Sequence, residues 1–416
     1  MKNKVKTITL GCRFNFYESE VSKAIIKKLN PNDDIIIINT CSVTHEAERQ
    51  SRQAVRKAVR ENRNAKIIVT GCAAKTSEDY FNHLEGVFKV IQNGDKENLE
   101  IYSKIPHSSS SINFDDDVIN EEDQLFENRA RVFVQIQNGC DNFCSYCIVP
   151  FTRGRATSLP LEKILKRVGG FSEKGFKEVV LSGIDITSYG KDLDFKITLA
   201  DVVEAILKKY PNQKRLRISS IDPNGISERL FELFAHEKRI MPHFHLSIQS
   251  GDDQVLKDMK RRHTRKDVID FCNKLRSIRK DVVFGCDLIP GFPTETEDMF
   301  KNTIDLIDDA GLSLLHVFPF SPRKGTIAAQ MIQLPRAVVL ERGRLLREEA
   351  HKAKKKLLEN MLGKVVDGIV EKVEENVSYG KTDSFVPFII KKAYTPSEIV
   401  SNLKVVSHNG DSLILT

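Results

Sequence analysis

Short apolar runs alternate with amphipathic stretches through the first hundred residues. The runs at 5–10, 35–39, 66–70 and 87–91 are dense in Ile and Val, and segments such as 21–29 and 46–63 repeat their apolar residues every three to four positions. Continuous short runs predict buried strands, and the longer period predicts helices packed on them. Their alternation predicts a parallel α/β layer. Between 107 and 128 the pattern lapses into a serine run (108–111) and an acidic run (115–117), which predicts a linker. A second alternating series follows, with strands predicted at 132–137, 178–182, 215–219, 243–248, 282–288 and 314–318. Pro160 opens one intervening helix, which runs to Val168, and Thr198 precedes another over 199–209. Six such units predict an incomplete (β/α)6 barrel whose reactive face lies at the carboxyl ends of its strands. A basic helix over 336–360 leads into a tail with runs at 365–373, 385–390, 403–406 and 412–415, which predicts a small β-barrel. The fold class is thus α/β, divided into an N-terminal α/β domain (1–106), the linker (107–128), the barrel with its trailing helix (129–360) and the C-terminal β-barrel (361–416).

Composition narrows the setting. The chain has 416 residues, eight cysteines and a formal charge of +7. No run approaches the roughly 18 apolar residues of a membrane span, and the opening MKNKVKTITLG lacks an apolar secretory core. The expectation is a cytoplasmic protein with no membrane association, in a reducing compartment where cysteines serve metals or catalysis more than disulfides. The mild positive charge permits a nucleic-acid partner.

Six of the cysteines fall into two sets. Cys140, Cys144 and Cys147 form a C-x3-C-x2-C run just past the strand predicted at 132–137. Three clustered thiolates can hold three irons of a [4Fe-4S] cube and leave the fourth open for chemistry. A structural zinc knuckle is the alternative; it needs a fourth ligand, and no second Cys pair or close His follows. Cys12, Cys41 and Cys72 each lie just beyond one of the first three predicted strands. The carboxyl ends of an open parallel sheet share one edge, so these thiols can converge there. The alternative is three buried small residues, a common fate of free Cys. Cys272, in a predicted helix over 266–275, and Cys286, in a predicted strand, are expected to be structural. His243 and His245 share a strand face and are expected to be barrel-lining hydrogen-bonding groups rather than metal ligands. Arg49, Arg52, Arg56, Arg60 and Arg63 recur at three- and four-residue spacing. Such a stripe either tracks phosphates or is an ordinary solvated helix face. The stretches 260–266 and 342–356 add further positive charge.

The motifs together resemble the radical S-adenosylmethionine (SAM) methylthiotransferases over nearly the whole chain. LGCRFNFYESE (10–20), NTCSVT (39–44) and TGCA (70–73) are similar to that family's three N-terminal cysteine motifs, and GCDNFCSYCIVPFTRGR (139–155) to its radical-SAM stretch. LSIQSG (246–251) and GFPTETE (291–297) also match. The Tyr17-Glu18 pair and HVFPFSPR (316–323) resemble the branch acting on threonylcarbamoyladenosine in tRNA, and GKTDSF (380–385) a piece of the C-terminal TRAM domain. Pro290 stands where the family usually has a small or branched apolar residue, and the TRAM region is short.

The resemblance implies conversion of N6-threonylcarbamoyladenosine next to the anticodon into its 2-methylthio derivative. It implies two [4Fe-4S] clusters, on Cys140, Cys144 and Cys147 and on Cys12, Cys41 and Cys72, with SAM as cofactor. Tyr146, Gly183, Ser219, Ser220 and Gln249 become expected SAM contacts, and the arginine stripe an RNA contact. It further implies a tRNA substrate, an electron donor such as flavodoxin or ferredoxin, and a sulfur source. The alternatives are the same fold acting on isopentenyladenosine in tRNA or on an aspartate of a ribosomal protein, and a noncatalytic metal-bound RNA-binding protein.

Overall fold

The computed structural model describes residues 4–29, 33–96, 98–103, 129–194 and 196–416; the linker expected at 107–128 lies outside them. The chain divides into two compact units. One comprises Met1–Glu127, Asn138–Thr157 and Ser321–Ala329, the other Asn128–Gln137, Ser158–Phe320 and Gln330–Thr416. Among the described residues no helix is long and apolar enough to cross a membrane.

The first unit is built on a parallel sheet of β1 (Val5–Thr9), β2 (Ile35–Thr40), β3 (Lys66–Gly71) and β4 (Val87–Ile91), ordered 1-2-3-4. Every residue of β2 is buried, as expected of a central parallel strand covered on both faces. The helix Arg13–Leu29 turns Phe14, Tyr17, Val21 and Ile25 inward, and Glu18 lies on the same buried stripe. Thr44 caps the helix His45–Glu61 by accepting from the Ala47 N–H at 3.1 Å. That helix ends two residues before the stretch expected to be helical does, so Arg63 falls outside it.

In the second unit six parallel strands form two three-stranded sheets: β5 (Arg131–Gln135), β6 (Glu178–Ser182) and β7 (Arg215–Ile218), then β8 (His243–Gln249), β9 (Val283–Leu288) and β10 (Leu312–Val317). Isolated parallel bridges at Leu216–Ile240 and Ile221–Leu246 join them, giving the expected incomplete barrel. Phe244, Leu246, Phe284, Cys286 and Leu288 are buried in its core. Cys272 and Cys286 are both fully buried, and burial pushes the Cys272 thiol up to about 12, consistent with structural thiols.

The helix Arg336–Asn360 leads into a closed barrel of β11 (Val365–Glu374), β12 (Val377–Thr382), β13 (Pro387–Ile390), β14 (Ile399–His408) and β15 (Leu413–Leu415). Leu358 and Met361 join its core of Val370, Phe388, Val400 and Leu413. Strand β12 (VSYGKT) escaped the sequence reading because its polar, Gly-containing pattern is weak.

The small barrel closes the amino-terminal end of β5–β7. Arg131, Glu178 and Arg215 open those strands in register. The fully buried Glu178 carboxylate accepts from Nε of Arg131, Arg215 and Arg217 at 2.8, 2.9 and 2.8 Å. From the small barrel Glu371 pairs with Arg131 and Asp383 with Arg215, so three guanidiniums meet three carboxylates. Phe385, at φ +68°, stacks on His243 at 5.1 Å and lies 4.8 Å from the Arg217 guanidinium. An aromatic residue held in the left-handed region is strained, and here several partners hold it.

Candidate active site

Cys41 and Cys72 directly follow the carboxyl ends of β2 and β3, and Cys12 follows that of β1 after Leu10 and Gly11. Gly11 and Gly71 precede two of them at φ +93° and +100°. A Cβ on Gly71 would lie 2.2 Å from the Thr40 carbonyl oxygen and one on Gly11 2.7 Å from Cys41 Cβ, so only glycine permits this approach. Ser51 fixes Cys41, accepting from its N–H and donating to its carbonyl, both at 3.0 Å. Cys41 and Cys72 are buried and Cys12 is exposed. Burial pushes the Cys41 thiol up to about 11, with Cys72 and Cys12 adding to the effect. Asn15 Oδ1 lies 3.8 Å from Cys12 Sγ, and Asn93 Nδ2 the same distance from Cys72 Sγ. Asn93 Oδ1 and Ser42 Oγ are buried without a hydrogen-bond partner.

Cys140, Cys144 and Cys147 lie on a loop of the same unit, each partly buried. The Cys147 N–H donates to Cys144 O at 3.0 Å and the Cys140 N–H to Gly154 O at 3.2 Å, and the Ala328 N–H donates to Ser145 O at 2.8 Å. The short helix Val149–Arg153 follows, and its Thr152 carbonyl accepts from Asn93 Nδ2 at 2.8 Å. Arg153, which the sequence reading did not single out, donates to both oxygens of Glu18 and, at 2.7 Å, to Asn15 Oδ1. Lys96 pairs with the same carboxylate. Burial draws the Lys96 ammonium below its ordinary value, and Glu18 opposes that.

Two buried cations on one buried anion leave a net positive charge that Cys12 and Cys72 feel directly. Such an excess is costly unless anions face it, and metal-bound thiolates are anions. Among the described residues, the group whose donor atoms all fall within 4.8 Å of one another is His245–Asp287–His316.

The remaining expected residues fall as follows. Tyr146 is half-buried between Ser145 and Cys147. A Cβ on Gly183 would press to 3.0 Å from Gln137 Oε1, which accepts from the N–H groups of Ile184 and Asp185 at 2.9 Å. Ser219 is half-buried with an unpartnered, buried Oγ, whereas Ser220 is exposed. Gln249 ends β8 at φ +79°, a strained position of the kind that clusters at functional sites.

The arginine stripe splits. Arg49, Arg52 and Arg56 line a cleft of about 890 Å³ in the first unit together with Lys75, Tyr80, Phe151, Arg323 and Lys324; Arg60 and Arg63 do not. Arg52 and Arg323 both pair with Glu48, and the Arg52 guanidinium lies 4.9 Å from the Tyr80 ring centre. Arg49 is bound to Glu46. The cleft is thus cationic, with exposed Arg56, Lys75 and Lys324 at its margin and Glu48 as its single acidic lining residue among the described residues.

Comparison with known proteins agrees with this arrangement. The radical SAM superfamily model matches residues 134–307, and a model described as uncharacterized protein family UPF0004 matches 4–92. The chain is 44% identical to the threonylcarbamoyladenosine tRNA methylthiotransferase MtaB of Rickettsia prowazekii, covering 94% of this chain and 93% of that one. It is 34% identical to the protein of the same name in Bacillus subtilis, over 92% and 89%. It is 32% identical to the tRNA-2-methylthio-N(6)-dimethylallyladenosine synthase of Petrotoga mobilis, over 77% and 76%. Among solved structures it resembles the radical S-adenosylmethionine methyltransferase TsrM of Kitasatospora setae at a TM-score of 0.51 and 11% identity, covering 77% of each chain, a likeness of fold. From cysteine motifs to sequence relatives these findings converge, and the chain belongs to the threonylcarbamoyladenosine tRNA methylthiotransferase family of radical SAM enzymes.

Proposed function

We propose that this enzyme converts N6-threonylcarbamoyladenosine in tRNA to its 2-methylthio derivative. The observation that carries the reading is the pair of cysteine trios in one compact unit, in a chain 44% identical to a relative named for that activity. Cys140, Cys144 and Cys147 would hold one [4Fe-4S] cluster and Cys12, Cys41 and Cys72 the other. The buried unpartnered Ser42 Oγ, and the charge of Arg153 and Lys96, fit an anionic occupant at the second trio. When bound, the two clusters and SAM supply the radical and the sulfur that replacing a carbon-bound hydrogen of adenine requires.

The chain's own residues do the holding. Ser51 and the backbone at Gly71 set the positions of Cys41 and Cys72, Asn15 and Asn93 approach two of the sulfurs, and Arg153 holds a positive charge against them. Tyr146, Gly183, Ser219, Ser220 and Gln249 are assigned to SAM. The orphaned Ser219 hydroxyl and the strained Gln249 support two of these assignments. Arg49, Arg52 and Arg56, with the cleft they line, are assigned to tRNA phosphates, and residues 361–416 to a TRAM-like module. An electron donor such as flavodoxin or ferredoxin and a sulfur source complete the partners, in the cytoplasm where tRNA resides.

Mass spectrometry of tRNA nucleosides tests the reading. Cells lacking this chain should lose 2-methylthio-threonylcarbamoyladenosine and accumulate its precursor, and the intact gene, but not one with Cys140, Cys144 and Cys147 changed to Ala, should restore it. An unchanged nucleoside profile would sink the proposal.

A further inference from the structure

Three side chains on the second unit's barrel form a cluster that the cysteine chemistry does not use. His245 on β8, Asp287 on β9 and His316 on β10 lie on adjacent parallel strands, with Asp287 and His316 in direct register. Strand alternation separates them from Leu246, Cys286 and Leu315, which point to the opposite face. A Cβ on Gly285 would lie 2.8 Å from His245 Nδ1 and 3.1 Å from His243 Nε2, so the missing side chain is what admits the two imidazoles.

Both His245 Nε2 and His316 Nδ1 meet the same oxygen, Asp287 Oδ1, at 2.8 and 3.1 Å. With the carboxylate accepting, each ring carries its proton on the nitrogen facing Asp287. Asp287 Oδ2 and His316 Nε2 are then left without a protein partner among the described residues. Side-chain exposure rises from 11% at His245 through 25% at Asp287 to 58% at His316. The cluster therefore climbs from the barrel wall toward open space, close to the carboxyl ends of β9 and β10, the end at which barrels of this kind build their sites. An ion pair as exposed as that of His316 adds little to stability. Its value lies in what it presents.

A threonylcarbamoyl arm on adenine N6 carries a carboxylate, a hydroxyl and urea N–H groups, none of which an isopentenyl arm has. We propose that Asp287 and His316, braced by His245, form the receptor for this polar arm, with Asp287 Oδ2 accepting from its urea N–H and the unprotonated His316 Nε2 accepting from its hydroxyl. This inference rests on the reading given under Proposed function. An apolar arm in the same place would leave Asp287 desolvated and unpaired, the kind of penalty by which a hydrogen-bonding site rejects an analogue lacking the partner group.

The test measures equilibrium binding of the reconstituted full-length enzyme to synthetic anticodon stem-loops carrying threonylcarbamoyladenosine or plain adenosine at one position. The wild type should prefer the modified loop by about 10- to 100-fold, the worth of one or two charge-assisted hydrogen bonds. His316→Phe should collapse that preference and His316→Gln, which keeps an acceptor, should retain part of it. Iron content and SAM cleavage without RNA should stay at wild-type levels in both variants, which also shows that they fold. An undiminished preference in His316→Phe would overturn the proposal, and so would one equivalent of a divalent ion bound through His316, because the ion would occupy the donor atoms. If the wild type itself fails to methylthiolate threonylcarbamoyladenosine in tRNA, the functional reading falls and this inference with it. If it succeeds while His316→Phe still discriminates, only this inference falls.

Discussion

Arg153 and Glu18, 135 residues apart in the chain, form a bidentate ion pair with N···O distances of 2.8 and 3.0 Å, both side chains almost wholly buried. Glu18 sits one turn and a half past Cys12, and Arg153 sits six residues past Cys147, so one carboxylate ties the settings of the two cysteine trios together. The Arg153 guanidinium also lies 4.5 Å from the Phe14 ring centre, on the same helix as Glu18.

Glu18→Gln should therefore be costly. It strands Arg153 and Lys96 as buried unpaired cations, and breaking such a pair from one side costs about 3–5 kcal/mol. Urea unfolding of the wild type and variant checks this, and a loss below about 1 kcal/mol would show that the pair is not holding the site.

The same carboxylate predicts an acid response. Burial alone would raise its pKa, but Arg153 and Lys96 overcome that and lower it from 4.5 to about 2. A depressed carboxylate contributes stability that is present above its unfolded value and is lost as pH falls from 4.5 toward 2. Between those values the wild type should lose stability more steeply than Glu18→Gln, which has no group left to protonate. Parallel curves would contradict the assignment.

Anaerobic reconstitution should load about eight irons per chain, two cubes of four. Changing Cys140, Cys144 and Cys147 to Ala should halve the iron and abolish reductive SAM cleavage. Changing Cys12, Cys41 and Cys72 should also halve it yet leave uncoupled cleavage. Complete loss of iron from either variant while it remains folded would rule out two independent sites.

RNA binding should separate the two halves of the arginine stripe. Replacing Arg56, Lys75 and Lys324 with Gln should lower the slope of log affinity against log salt by about 0.7 to 0.9 for each phosphate that is no longer neutralised. Replacing Arg60 and Arg63 should leave it unchanged, since neither lines the cleft. Titrations at several salt concentrations decide it, and equal effects from both sets would mean that the cleft has no special role.

The sequence disclosed what repeats locally. Strand and helix periods are set within a few residues, so the placement of Cys12, Cys41 and Cys72 after successive strands could be read before any coordinates. Partners such as Glu18–Lys96, 78 residues apart, and Arg131–Glu371, 240 apart, leave no periodic trace. They did leave another signal. Glu18 interrupts the apolar stripe of Phe14, Tyr17, Val21 and Ile25, and Glu178 stands directly before the apolar run Val179–Leu181 in a strand with every residue buried. A charge where the pattern demands an apolar side chain implies a buried partner of opposite sign. For the arginine stripe, helical spacing shows which residues share a face, but not which of them Glu46 and Glu48 engage.

The closure of β5–β7 by Glu371, Asp383 and Phe385 bears on how the chain is made. Ribosomes release a chain from its amino terminus, at about 5–20 residues per second. Strands β5, β6 and β7 emerge long before residue 371, so for roughly 10 to 30 seconds Arg131 and Arg215 have only Glu178 to neutralise them, beneath an end that nothing yet covers. The barrel's arginines are thus a waiting socket during synthesis, and the last-made segment is the one that completes a layer begun some 240 residues earlier.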